Sequence, residues 1–294
     1  MAGIPLEDNF TDILGKAQRG LGLGNAELAR RAGVTVEELR EVMRNPPLDP
    51  LRGRGTGMIN EGVIRRLAGA MGLGGEALVA IARGAWRPRE VGPVEGLAMF
   101  TTPFGETTVN AYVVYDAGSG EGVAFDTGAE AGGMVEMVRR KGLRVGMILV
   151  THVHSDHVMS LVRLSDATGA RAWVSEREPM RGAEVFEDGK VWKVGGLRIE
   201  ARRTSGHARG GTTYVVEGLR RGLAVVGDAL FAGSMGGGMV SYEEALRTNR
   251  AGIFTLGDEV IVGPGHGPLT TVGEEKLHNP FFPEYQEREE AREP

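Results

Sequence analysis

Apolar residues follow two different spacings along this chain. Up to about residue 85 they recur at three- and four-residue intervals, the period of amphipathic helices. From Val94 onward they gather into short β-branched runs bounded by glycine, the pattern of buried strands. The first region predicts helices over Asn9–Arg19, Asn25–Ala32 and Val36–Arg44, with Asn25 as N-cap of the second and Leu39 and Met43 on one face of the third. Gly33-Val34-Thr35 predicts a tight turn, and Asn45-Pro46-Pro47 stops the third helix. Asn60 to Arg83 predicts two more short amphipathic helices, capped by Asn60 and broken around Gly72-Leu73-Gly74-Gly75. The second region predicts strands at Ala98–Thr102 and Asn110–Tyr115, neighbours joined through Gly105, and at Gly122–Phe125 and Met147–Val150. Further strands are predicted at Arg171–Val174, Leu197–Ala201, Thr212–Val216, Leu223–Val226 and Val260–Val262. Helices are expected at Glu130–Lys141 and Val158–Leu164. The change of period falls near Trp86 to Pro93, which divides the chain into a helical domain over 1–90 and an α/β domain over 95–294.

The run Glu27-Leu28-Ala29, then Ala32-Gly33-Val34-Thr35, then Leu39 resembles the helix-turn-helix of the Cro and lambda-repressor family. That resemblance implies contact with DNA through the third helix. The charges there point the other way. Glu37, Glu38 and Glu41 stand against Arg40 and Arg44, and carboxylates facing phosphates are repelled. The expectation is therefore a docking or dimerisation module, with a homo-oligomer as the natural assembly. Nucleic acid would reach the chain only through residues 1–90, Arg30 and Arg31 included.

Composition narrows the class. The 294 residues are 41% hydrophobic and 25% charged, ordinary for a globular protein, and the net charge of -5 calls for no polyanionic partner. There is no cysteine, which removes disulfides and thiolate metal ligands. Met1 to Phe10 lacks the basic and apolar segments of a signal peptide, and no apolar run spans a bilayer, so the expected setting is the cytoplasm with no membrane partner. The charged tail Gln286–Glu293 reads as a frayed helix end.

The chemistry concentrates in Thr151-His152-Val153-His154-Ser155-Asp156-His157, three imidazoles and a carboxylate between a predicted strand and a predicted helix. Imidazole and carboxylate are the usual zinc and iron ligands where thiolate is absent. His152 and His154 lie two apart in an extended segment and so face the same way. His207, Asp228 and His266 each follow a predicted strand with glycine beside them. His278 fits no such position, and Asp126 closes a strand where it would orient a ligand histidine or stabilise a turn.

With those residues in that order, the chain from about residue 95 resembles the metallo-β-lactamase-fold hydrolases. Gly227-Asp228-Ala229-Leu230-Phe231-Ala232-Gly233-Ser234, Gly265-His266-Gly267-Pro268-Leu269-Thr270 and Asn279-Pro280-Phe281 are similar to the glyoxalase II-like branch. The resemblance implies an αββα sandwich preceded by the small all-α helix-turn-helix-like domain. It implies two divalent metal ions, zinc first and iron or manganese as alternatives. His152, His154 and His207 would hold one, Asp156, His157 and His266 the other, and Asp228 would bridge them. Asp156 and Asp228 would be the catalytic carboxylates. Asp156 would act as ligand alone, or would also orient the hydroxide and pass its proton on.

Two divalent ions less two carboxylates and a bridging hydroxide leave net positive charge, which draws the pKa of bound water towards ~7. The expected activity is hydrolysis of a thioester or related small ester, as by a hydroxyacylglutathione hydrolase, since a thiolate leaves without a general acid. Glyoxalase II proteins carry a basic extension beyond Asn-Pro-Phe that binds glutathione. This chain continues with the acidic Phe282-Pro283-Glu284-Tyr285-Gln286-Glu287, and Lys276 is the nearest basic candidate. Gly233 to Met239 reads as a mobile substrate loop or a plain connection. The alternatives are a mono-iron persulfide dioxygenase using His152, His207 and Asp228, and a metabolite-sensing DNA-binding regulator. Nuclease and β-lactamase readings fit less well, for want of a basic groove and because the C-terminal motif points elsewhere.

Overall fold

The computed structural model of the chain describes residues 4–44 and 59–290. Five helices come first: α1 (Phe10–Gly20), α2 (Asn25–Ala32), α3 (Val36–Arg44), α4 (Glu61–Ala70) and α5 (Gly75–Ala82). Asn9 caps α1 in a full capping box with Asp12, and Asn60 caps α4 by accepting from the Val63 N–H. Asn25 is not the cap of α2. Gly24 holds that position with no side-chain bond, and the Asn25 side chain instead accepts from Gln18. Between α2 and α3, Thr35 and Glu38 exchange side-chain to backbone hydrogen bonds, which starts α3 cleanly. The expected stop at Asn45-Pro46-Pro47 lies outside the described residues. α5 was expected to be amphipathic, yet Ala77, Leu78, Val79, Ile81 and Ala82 are all buried, because it is covered on several sides.

The remaining chain forms two six-stranded mixed sheets. The first runs in chain order from β1 to β6: β1 (Leu97–Phe104), β2 (Thr107–Tyr115), β3 (Glu121–Phe125), β4 (Arg144–Leu149), β5 (Arg171–Ser175) and β6 (Glu184–Phe186). The second holds β7 (Val191–Val194), β8 (Leu197–Arg203), β9 (Thr212–Glu217), β10 (Leu223–Gly227), β11 (Ile261–Pro264) and β12 (Thr270–Thr271), in the order β12-β11-β10-β9-β8-β7. β1 and β2 pair antiparallel through the turn at Gly105, as their sequence predicts. Helices α6 (Gly132–Lys141), α7 (Ser155–Val158), α8 (Leu161–Thr168), α9 (Tyr242–Gly252), α10 (Val272–His278) and α11 (Pro283–Glu290) complete the chain. The helix expected over Val158–Leu164 is broken at Met159-Ser160, where the Ser160 N–H and hydroxyl turn to Thr127 and Ala129. Among the described residues no helix is long and apolar enough to cross a membrane.

Strand alternation sorts the core into three layers. Tyr112, Phe125, Leu149, Ile199, Tyr214, Leu223, Val225 and Ile261 meet between the sheets. Ala124, Ile148 and Val174 face the other way, onto α6 and α8. Ala224, Val226 and Val262 point out of the second sheet into a cluster shared with α9, α10 and all five N-terminal helices. The result is an αββα sandwich in which the N-terminal helices cover part of one outer face. Their apolar sides, including Phe10, Ile13, Leu14, Leu28, Leu39, Ile64 and Leu67, are buried within the chain itself.

Candidate metal centre

Every strand that feeds the centre ends at the same edge of the sandwich. β4 leads into His152 and His154 and then α7, which carries Asp156 and His157. β8 precedes His207, β10 precedes Asp228 and β11 precedes His266. The structure brings all seven of these residues together. His152 Nε2 lies 3.0 Å from His154 Nδ1, and His207 Nε2 lies 3.1 Å from the same atom. Ligands of a tetrahedral zinc stand about 3.3 Å from one another, so this triad has the right spread. On the other side His266 Nε2 is 3.3 Å from Asp156 Oδ2, and His157 Nε2 is 3.7 Å from it. Asp228 reaches both groups: its Oδ2 is 3.4 Å from His207 and 3.5 Å from His266, and its Oδ1 is 3.3 Å from His157.

The imidazoles are oriented from behind. His157 Nδ1 donates to Asp126 Oδ2 at 2.8 Å, His207 Nδ1 to Gly237 O at 3.0 Å and His266 Nδ1 to Thr108 O at 2.6 Å. Each bond fixes a tautomer whose Nε2 faces the cluster. Asp126 serves both roles its position suggests. Besides His157 it accepts from the Thr151 N–H and hydroxyl, tying the end of β3 to the start of the histidine segment. Among the described residues it is also the one non-glycine residue with positive φ, 54°, a strained conformation that these three bonds hold in place. Close approach explains two glycines: a Cβ on Gly265 would collide with Asp228 Oδ1 and His157 Cε1, and one on Gly236 with Asp228 O.

Electrostatics make the cluster receptive to cations. Burial disfavours a charge on His157, but the carboxylates of Asp126 and Asp228 outweigh it and push its pKa up to about 10. Burial likewise opposes a charged His266, and Asp156 and Asp228 raise it to about 11. Burial depresses His152 and His207, which disfavours a proton on either ring. Burial would raise Asp228, yet the surrounding histidines hold it well below the usual carboxylate range. His157 Nε2 and Asp228 Oδ1 face each other without the alignment of a hydrogen bond, and both are buried with no hydrogen-bond partner. A pair of orphaned buried polar atoms is costly. Cations bound in this nitrogen and oxygen cage would supply the partner each lacks, so the residues fit a metal site. Three overlapping donor groups are present: His152, His154 and His207; His152, His157 and Asp228; Asp156, His157 and His266.

Other sequence candidates lie elsewhere. His278 stacks near Trp86, ring centroids 5.3 Å apart, away from the cluster. Lys276 is held by Asp258 and Leu256 O. Gly233 to Gly236 is not a loose loop: the segment is buried, with the Gly233 N–H bonded to the buried Glu275 and Ser234 to Asp8, and Met239 is its exposed end. Sequence reasoning missed Glu7, Lys16, Arg19 and Phe231, which line the cavity above the cluster. No local motif marks them, because their neighbours lie 100 to more than 200 positions away. It also missed α9, although Ser241 and Glu244 form the Ser-x-x-Glu start signal that caps it.

The role of Asp126 sets a prediction. Asp126→Asn keeps the shape but removes the charge that raises His157 basicity. Metal affinity, measured by competition with a chromogenic chelator, is expected to fall by about 10- to 100-fold. Unchanged affinity would restrict Asp126 to its turn.

Comparison with known proteins agrees with this architecture. The sequence profile of the Metallo-beta-lactamase superfamily matches residues 104–266. The chain is 27% identical over 183 residues to hydroxyacylglutathione hydrolase GloC of Haemophilus influenzae, covering 54% of this chain and 85% of that protein. It is 28% identical over 224 residues to the probable metallo-hydrolase YqgX of Bacillus subtilis, covering 67% and 97%. The crystal structure of ETHE1 from Myxococcus xanthus superposes with a TM-score of 0.55 at 25% identity, over 67% of this chain and 92% of that one. The αββα layering, the convergence of strand ends and the profile match together establish that the chain belongs to the metallo-β-lactamase superfamily.

Proposed function

We propose that the chain is a binuclear metal-dependent hydrolase of a thioester or related small ester, similar in action to a hydroxyacylglutathione hydrolase. The observation that carries this reading is the single carboxylate, Asp228, that touches both histidine groups. His152, His154 and His207 would hold one ion, and Asp156, His157 and His266 the second. Divalent metal held there would polarise a carbonyl and make water nucleophilic at neutral pH. The same nitrogen and oxygen set accepts zinc, iron or manganese, with zinc the first expectation. Asp126, Gly237 O and Thr108 O keep the ring protons of three ligands away from the reacting side. Asp156, on α7 and 3.3 Å from His266, would orient a water and accept its proton.

The leaving group decides the substrate class. In the cavity, Glu7 is engaged by the Thr107 hydroxyl and Lys16 by Asp8. Among the described residues that line the cavity, no unengaged acid stands ready to protonate an alkoxide or amine. A thiolate departs without one. The name of the Haemophilus relative points the same way.

The test loads the protein separately with zinc, iron and manganese. Each form is assayed on S-lactoylglutathione, a simple acyl thioester, the matching oxygen ester and a β-lactam, with oxygen uptake followed on glutathione persulfide. Thioester cleavage is expected to exceed oxygen-ester cleavage by at least about tenfold, with no oxygen uptake. One iron per chain together with oxygen consumption would sink the hydrolase reading in favour of the dioxygenase. The regulator reading finds less support, because Arg30 and Arg31 are paired with Glu27 and Arg44 with Glu37, which leaves α3 without a free cationic stripe.

A further inference from the structure

A cavity of about 560 Å³ opens onto His207, Asp228 and His266, and its opposite wall is the N-terminal helix α1. That volume suits a small molecule. From this wall we infer that Arg19 is the anchor for a negatively charged group on the substrate, so that the molecule cleaved at the metal centre is a small acyl compound bearing a carboxylate. The inference rests on the hydrolase reading for the bond cleaved, and on its own observations for the anion.

The first observation is that α1 is fixed in place beside the centre. Lys16 Nζ donates to Met235 O at 2.9 Å and pairs with Asp8, and Asp8 in turn accepts from the Ser234 hydroxyl at 2.6 Å. The same ammonium sits 5.0 Å from the centre of the Phe231 ring, whose edge contact with His266 has centroids 5.6 Å apart. At the end of α1, Gly20 packs so closely on Tyr242 that a Cβ there would overlap its ring. The helix is therefore tied to the segment that follows Asp228, and one step links it to a proposed metal ligand.

The second observation is charge. Lys16 is half of a partly buried pair, its charge already offset by Asp8. Arg19 lies one turn further along the same face, lines the cavity, is exposed, and has no ion pair among the described residues. Elsewhere on the helical segment Arg30, Arg31, Arg65 and Arg83 each hold a glutamate, and Arg40 and Arg66, which hold none among the described residues, do not line this cavity. A guanidinium offers a planar fork that matches a carboxylate. Met239 at the same rim is exposed and apolar, which suits an alkyl portion between the two ends.

The experiment is calorimetric titration of two non-hydrolysable thioethers, (butylthio)acetate and the neutral (butylthio)acetamide, into metal-free and zinc-loaded protein. The wild type is expected to prefer the acid in both forms. Arg19→Gln should weaken acid binding by about tenfold and leave the amide unchanged, the scale of losing a charged hydrogen bond. Arg19→Lys should recover part of the preference, and Arg40→Gln, on the exposed face of α3, should change nothing. Equal binding of acid and amide to the wild type, or an undiminished preference in Arg19→Gln, overturns the inference. A protein that cleaves no thioester yet keeps an Arg19-dependent preference retains the anion site and loses only the hydrolase reading.

Discussion

Replacing Asp228 with alanine is expected to abolish metal binding and activity together. Its two carboxylate oxygens lie within 3.5 Å of His157, His207 and His266, so one side chain serves both donor groups. Removing it leaves His157 and His266 without a carboxylate that helps hold them, and leaves any cation pair without its shared anion. Activity should fall by on the order of 10³-fold or more, the scale seen when a central catalytic group is lost. Metal content of the purified variant, read by elemental analysis, should drop well below that of the wild type. The substitution leaves the histidines in place and removes only the carboxylate among them, and near-ultraviolet circular dichroism checks that the fold survives. Full metal occupancy in this variant would show that Asp228 does not bridge. Asp228→Asn separates charge from shape: it should keep the contacts and still lose most of the metal.

The centre was more legible in the sequence than the cavity around it, and the reason is physical. Metal ligands announce themselves because few residue types can do the work and because His152, His154, Asp156 and His157 fall within six positions. His207, Asp228 and His266 follow strands, and strand ends in such sheets share one edge. The strands themselves were legible as β-branched runs between glycines. β6, β7 and β12 were not, since they are two to four residues long and pair at or near sheet margins. The break at Met159-Ser160 escaped because hydrophobic spacing does not report a hydrogen bond to Thr127. Lys16 and Arg19 escaped for a different reason: the cavity they line is closed by residues from across the fold, and nothing local in FTDILGKAQRG tells a solvated helix face from a cavity wall.

The same long-range packing makes the N-terminal helices a test of how the whole chain holds together. Read alone, residues 1–90 suggested an attached module that mediates association. In the described residues that module is packed onto the sandwich, because Phe10, Ile13, Leu14, Leu28, Ile64, Leu67 and Leu78 share one core with Val226, Leu230, Phe254, Phe281 and Phe282. The backbone is joined there too, by the Gly74 N–H to Pro280 O at 2.8 Å. Each large apolar side chain uncovered costs about 1.5–3 kcal/mol, against a total stability of about 5–15 kcal/mol for a typical domain. Uncovering even a few of the residues on the second sheet's outer face would consume that margin. A chain lacking residues 1–90 is therefore expected to be insoluble, or to remain compact with lost near-ultraviolet signal and strong binding of a hydrophobic dye. The milder Leu67→Ala change should lower stability by about 2–5 kcal/mol while leaving metal content at the wild-type level. A shortened chain that stays soluble and melts in one sharp transition would show that the sandwich stands without its helical cover. Such a chain would also lose the cavity wall that carries Arg19, so its anion preference should vanish even if its metal remained.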